Sequence, residues 1–146
     1  MITQNLALAI GISRADAWIR RRLEAAVGGA HGIGYTDFLI LFEISSVIGG
    51  RIRAVDLAKR LLLTPSGITR ALIPLEKLGL IHRTRHERDA RSTYITLTES
   101  GKQRLAETLE TAERTISEAF DFEQTPAARL TVLGFFERLG YATQSQ

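Results

Sequence analysis

Residues 63–83 read "LTPSGITRALIPLEKLGLIHR", and this stretch decides the fold. Thr64 before Pro65 is a helix start: a threonine hydroxyl accepts from an early backbone N–H, and proline suits the first helical position, where its missing N–H would have no partner. Ile68, Ala71, Leu72, Leu75 and Leu78 then recur at helical spacing and form one buried face. Ser66, Gly67, Thr69, Arg70, Ile73 and Lys77 fall on the opposite face. Gly79 closes the helix. Pro74 stands inside it, where a proline removes one backbone hydrogen bond and crowds the carbonyl four residues earlier. That carbonyl belongs to Arg70, so a bend is expected halfway along. Residues 65–73 would project, while Leu75 and Leu78 stay in the core.

Upstream, "GGRIRAVDLAKRLLL" (49–63) gives a turn, an extended piece at Arg51 to Arg53 and a short helix. Val55, Leu57, Ala58 and Leu61 supply its inward side. Two short helices joined by a tight turn near Leu62 to Thr64 outline a helix-turn-helix. Downstream the period changes. "LIHRT" (80–84) and "STYITLT" (92–98) alternate and are β-branched, with "RHERDAR" (85–91) between them. This pattern predicts a two-stranded hairpin with a charged tip. The expected fold is mainly α with a small β-hairpin wing: a winged helix-turn-helix.

Residues 3–27 form a first helix with an irregular stripe of Leu6, Ile10, Ala17, Leu23 and Val27, ended by "GGAHGIG" (28–34). "YTDFLILFEISSVIG" (35–49) is a second helix, capped by Thr36 and apolar nearly all round, which belongs at a domain centre. "TESGKQRLAETLETAERTISEAF" (98–120) is a long helix capped by Thr98, with Leu105, Leu109, Ala112, Ile116 and Phe120 on one side. A last helix runs from Pro126 to about Gly140. The winged helix is complete by residue 98, so the amphipathic faces of the terminal helices have little left to cover. Adjacent Phe135 and Phe136 cannot both face one small core. The expected organisation is an N-terminal dimerisation helix (1–32), a winged helix-turn-helix (33–98) and C-terminal dimerisation helices (99–146), assembled as a homodimer.

The charge distribution points to the partner. The net charge is +3, but residues 51–98 carry ten basic and four acidic side chains. The flanking segments are neutral before and acidic after. A basic middle of this kind suits a polyanion. Small and hydroxylic residues near the start of the 65–78 helix, followed by Arg70, have the chemistry of a major-groove reader. An ordinary amphipathic surface helix is the plainer alternative, and the hairpin with Arg85, Arg88 and Arg91 argues against it.

Other classes find no support. The chain has no cysteine, which excludes disulfides, thiolate metal sites and thiol redox sensing. No nucleophile motif or glycine-rich phosphate loop is present, so an enzyme is not expected. His31, His82 and His86 do not cluster with carboxylates at ligand spacing, so no metal or cofactor is expected. No apolar run approaches the roughly 20 residues of a membrane span. The N-terminus lacks a secretory pattern, and a cytoplasmic location is expected.

"DLAKRLLLTPSGITRALIPLEKLGLIHR" (56–83) followed by "RDARSTYITLTESGK" (88–102) resembles the multiple antibiotic resistance regulator (MarR) family of bacterial transcription factors. The resemblance runs from about Ile33 to Phe120. It implies a homodimeric winged helix whose recognition helices enter the major groove of double-stranded DNA. By position, Ser66, Thr69 and Arg70 fall on DNA-contacting sites, Arg91 on a wing arginine that reaches the minor groove, and Asp89 on the acid that orients it. The wing reads Asp-Ala-Arg where Asp-Arg-Arg is commoner, so one phosphate-facing charge is missing. Arg53 stands where a capping Ser or Thr often begins the first helix of the motif.

The resemblance also implies a small lipophilic or aromatic acid as effector, seated where the dimerisation helices meet the winged helix. Trp18, Arg21, Tyr35, Phe38 and Phe42 are the candidates. Aromatics in the core and a surface Arg21 are the plainer reading of each one. The expected function is a ligand-released repressor on a pseudo-palindromic operator. The alternatives are an activator of the same kind and a winged helix that binds only protein.

Overall fold

The computed structural model describes residues 2–86, 89–119 and 126–144; at 85–86, 89–92, 126, 128 and 139–144 it describes the backbone alone. The elements run α1 (Gln4–His31), α2 (Tyr35–Ser45), β1 (Arg51–Arg53), α3 (Ala54–Arg60), α4 (Pro65–Lys77), β2 (Ile81–His86), β3 (Asp89–Leu97), α5 (Glu99–Ala119) and α6 (Pro126–Gln144). The fold is mostly helical with a small antiparallel sheet, as expected. The sheet has three strands rather than two, in the order β1-β3-β2. Arg51 pairs with Thr96 and Arg53 with Tyr94, so the short piece before α3 closes the free edge of the hairpin. β2 pairs with the other edge of β3, from Ile81 opposite Leu97 outward, with an irregularity between Arg85 and His86.

The core lies between α2, α4 and the sheet. Ile40, Leu41, Ile44, Leu57, Ile68, Leu72, Leu75, Ile81 and Ile95 are fully buried. α1 adds Leu23 and Val27, and α5 adds Leu105 and Ala112. Two expected core residues are outside it. Leu78 is 59% exposed and Val55 47%. Leu78 is the C-cap of α4, where the chain is already turning away from the core.

Capping explains most element boundaries. Thr64 accepts from Gly67 N at 3.0 Å, with Pro65 at the first helical position. α4 ends in a Schellman turn: Gly79 has φ 68°, its N–H bonds to Glu76 O, and Leu80 N–H bonds to Leu75 O. Thr98 caps α5 by accepting from Gly101 N at 2.9 Å, and its hydroxyl donates to Gly79 O at 2.6 Å. Two boundaries differ from expectation. α1 continues through Gly28 and Gly29 to His31 and stops at Gly32, φ 66°. Packing on α5 holds this last turn: His31 Nε2 meets Thr111 Oγ1 at 2.8 Å, and Arg104 donates to His31 O. α2 is capped at Gly34, not Thr36, with the Asp37 carboxylate accepting from Gly34 N at 3.0 Å. α6 runs past Gly140 to Gln144. Phe120 lies outside the described residues.

Candidate nucleic-acid interface

α4 positions the candidate reading surface. Ile68, Leu72 and Leu75 anchor it from below, and Arg83 Nη1 on β2 reaches Glu76 Oε2 at 3.4 Å from the side. Ser66, Thr69, Arg70, Ile73 and Lys77 are exposed on the outer face, as the spacing predicts, and Gly67 is half-buried. Gly67 has a steric reason: a Cβ there would stand 3.0 Å from the capping Thr64 hydroxyl. Ser66 Oγ lies 3.2 Å from the same hydroxyl. Thr69 Oγ1 donates to Pro65 O at 2.8 Å. Its donor is therefore used, and it offers a ligand acceptor lone pairs and a methyl group. That is the complement of an amino group on adenine or cytosine, or of a thymine methyl. Arg70 and Lys77 have no ion pair among the described residues. α4 is continuous across Pro74, which is exposed.

Arg85, Asp89 and Arg91 lie on β2 and β3, with Asp89 paired opposite His86 at the outer end of the wing. Their side chains lie outside the description, and Arg88 lies wholly outside the described residues.

The candidate effector residues separate into two places. Tyr35, Phe38 and Phe42 form a row of rings along α2, with centroids 6.2 and 6.4 Å apart. The guanidinium beside this row is that of Arg20, 5.3 Å from the Tyr35 ring, while Arg21 is exposed. Trp18, 43% exposed, lies under the Arg22 guanidinium at 4.7 Å. Burial raises the Tyr35 hydroxyl above its ordinary pKa, against the pull of Arg20. Burial likewise raises the Asp37 carboxyl, against the hydrogen bond from Gly34 N. Sequence reasoning missed Arg20 because three consecutive arginines carry no signal to tell which one faces a ring.

Among the described residues no group of three His, Asp or Glu side chains is placed to hold a metal. No described helix is long and apolar enough to cross a membrane.

Residues 33–93, which span α2 to the first half of β3, match the model of the MarR family. The chain is 34% identical over 94 residues to the HTH-type transcriptional regulator SarZ of Staphylococcus haemolyticus, covering 64% of this chain and 62% of that one. The chain spans about half to 60% of the length of the curated relatives it matches. The transcriptional regulator BldR from Sulfolobus solfataricus shares 25% identity at a TM-score of 0.83, over 96% of this chain and 99% of that one. Two further structures share the fold. The MarR family regulator Sco3205 from Streptomyces coelicolor, solved in complex with DNA, has a TM-score of 0.82 at 22% identity, over 100% and 94% of the two chains. NadR in complex with 4-hydroxyphenylacetate has 0.79 at 19%, over 96% of each chain. SarZ, BldR and Sco3205 are named as transcriptional regulators, not enzymes.

Proposed function

We infer that this chain is a MarR family member and a sequence-specific DNA-binding transcriptional regulator acting as a homodimer. Arg70 carries the reading. It projects from the outer face of α4 with no carboxylate partner among the described residues, beside the small and hydroxylic Ser66, Gly67 and Thr69. An arginine fork makes two bonds to guanine O6 and N7, and small neighbours let the helix approach the base edges. The wing strands carry Arg85 and Arg91, which we assign to flanking phosphates and the minor groove, with Asp89 orienting Arg91; Arg88, outside the described residues, is assigned to the same contact. The Sco3205 complex supports DNA as the partner.

Dimerisation is supported by what the terminal helices leave uncovered. Leu6, Leu8 and Ile10 on α1 and Leu130, Val132, Leu133 and Phe136 on α6 are exposed, Leu130 at 67%. Two copies joined there present α4 helices to half-sites about one helical turn apart on a pseudo-palindrome. Repression relieved by an aromatic acid is the mode of regulation we favour. The Tyr35, Phe38 and Phe42 rings with Arg20 beside them suit such a ligand, and NadR was solved with one. Ligand would act by changing the distance between the two winged helices.

The test is fluorescence anisotropy with labelled duplex from the region upstream of the protein's own gene, with sedimentation giving the stoichiometry. Two chains per duplex and affinity that falls steeply with salt are expected. Binding to no duplex at low salt would redirect the search to protein partners.

A further inference from the structure

On the β1 edge of the sheet lies a concavity of about 290 Å³ whose lining includes Val47, Arg51, Arg53, Asp56, Arg60 and Tyr94. Three guanidiniums and one carboxylate meet there. Two of the three are paired. Arg53 holds Asp56 with bonds of 2.6 and 3.0 Å, and Arg60 reaches Glu43 at 3.1 Å. Arg51 is different. It has no carboxylate partner among the described residues, and its guanidinium stacks on the Tyr94 ring at 3.9 Å. Stacking occupies the flat face of a guanidinium and leaves its N–H edges available. An arginine fixed in this way has lost part of its rotamer freedom before any ligand arrives, and its fork matches two oxygens of a phosphate.

The position of the concavity selects the occupant. Arg51 and Arg53 are on β1, which pairs with β3, the strand that continues into the wing. Arg53 is also the N-cap of α3, the first helix of the helix-turn-helix. In that motif the first helix crosses the nucleic-acid backbone while the second enters the groove. Arg51, stacked and with no carboxylate partner among the described residues, thus lies at the base of the wing, two residues before the N-cap Arg53 of that first helix.

We propose that this concavity is an oxyanion site whose occupant is a backbone phosphate of the bound duplex, gripped by Arg51 on its Tyr94 platform. It extends the contact surface beyond α4 and the wing tip. It rests on the DNA-binding reading above.

Arg51→Gln, Arg51→Lys and Tyr94→Leu would be compared with wild type by anisotropy on the upstream duplex and on an unrelated duplex, at several salt concentrations. Arg51→Gln is expected to weaken binding about tenfold per protomer, the scale of a charge-assisted hydrogen bond. The loss should be equal on both duplexes. The slope of log K against log salt should become shallower by about 0.9 per protomer, one phosphate's worth of released counterion. Arg51→Lys should keep the slope and lose part of the affinity. Tyr94→Leu should keep the slope and bind more weakly than wild type. Inorganic phosphate, titrated at constant ionic strength, should compete with wild-type binding and not with Arg51→Gln. Affinity and slope unchanged in Arg51→Gln, with wild type binding normally, would overturn the proposal. A loss confined to the upstream duplex would also overturn it, because phosphate contacts carry no sequence information. Failure of wild type to bind any duplex would overturn the DNA-binding reading and this site with it.

Discussion

Gly101 is the position where a single methyl group tests the packing of the fold. It lies in the first turn of α5 and is buried. An alanine Cβ built there would overlap the Leu80 carbonyl oxygen outright, and would stand 2.9 Å from its carbon and 3.3 Å from its Cα. All three atoms are backbone, so no side chain can rotate away. α5 would have to lift from the α4–β2 junction. The bonds at risk are Thr98 Oγ1 to Gly79 O at 2.6 Å and Thr98 N to Leu80 O at 3.1 Å. Overpacking costs about 1–3 kcal/mol, and two hydrogen bonds add about 1 kcal/mol each. Against this, alanine is the better helix former by at most about 1 kcal/mol. Gly101→Ala should therefore destabilise by about 2–4 kcal/mol, a large share of the 5–15 kcal/mol typical of a domain. Gly29→Ala is the control. Gly29 is also helical, but a Cβ there meets nothing within 4 Å. It should gain roughly 0.5–1 kcal/mol from propensity alone. Urea unfolding followed by circular dichroism measures both. A Gly101→Ala protein as stable as wild type would refute the close-approach argument.

Three other perturbations have definite signs. Leu62 has φ 53° and is 84% exposed, so Leu62→Gly should relieve backbone strain and raise stability by about 0.5–1 kcal/mol in the same assay; a loss would mean that its side chain packs against something. Pro74→Ala should restore a helical hydrogen bond and raise stability by up to about 3 kcal/mol. If Pro74 sets the projection of residues 65–73, the same change lowers operator affinity, and no change in either quantity would remove the bend from the account. The folded-state pKa of Asp37 is raised by burial, so the native state holds its proton more tightly than the unfolded chain. Stability should therefore fall as pH rises from the ordinary carboxylate value of 3.8 through the raised one. Asp37→Asn should flatten that part of the curve, and identical pH profiles for the two proteins would contradict the assignment.

The parts legible in the sequence were those governed by local rules. Thr64–Pro65 and Thr98 announce helix starts through their own side chains, and Ile68, Leu72 and Leu75 through their spacing. The missed features depend on distant neighbours. Gly28 and Gly29 oppose helix, yet Thr111 and Arg104, far away in sequence, hold the last turn of α1. Thr36 has the right chemistry for a cap, but Asp37 caps α2 from inside the helix. Arg51 to Arg53 reads as a short extended piece, and only the partner Tyr94 to Thr96 makes it a strand. On the reading surface, spacing found the outward face of α4. Which hydroxyls already serve the backbone, as Thr69 does, depends on coordinates. The stacking of Arg51 on Tyr94 joins residues 43 positions apart and has no local signal.

The outer face of α4 is proposed to read DNA through Arg70. The most direct measurement is the affinity of wild type and Arg70→Ala for the upstream duplex and for the same duplex with single base pairs changed, at two salt concentrations. The account predicts salt-sensitive binding by wild type and a loss of about 1–3 kcal/mol in Arg70→Ala. It also predicts that discrimination relaxes at one base pair per half-site. Tight binding by Arg70→Ala with full sequence discrimination would contradict it.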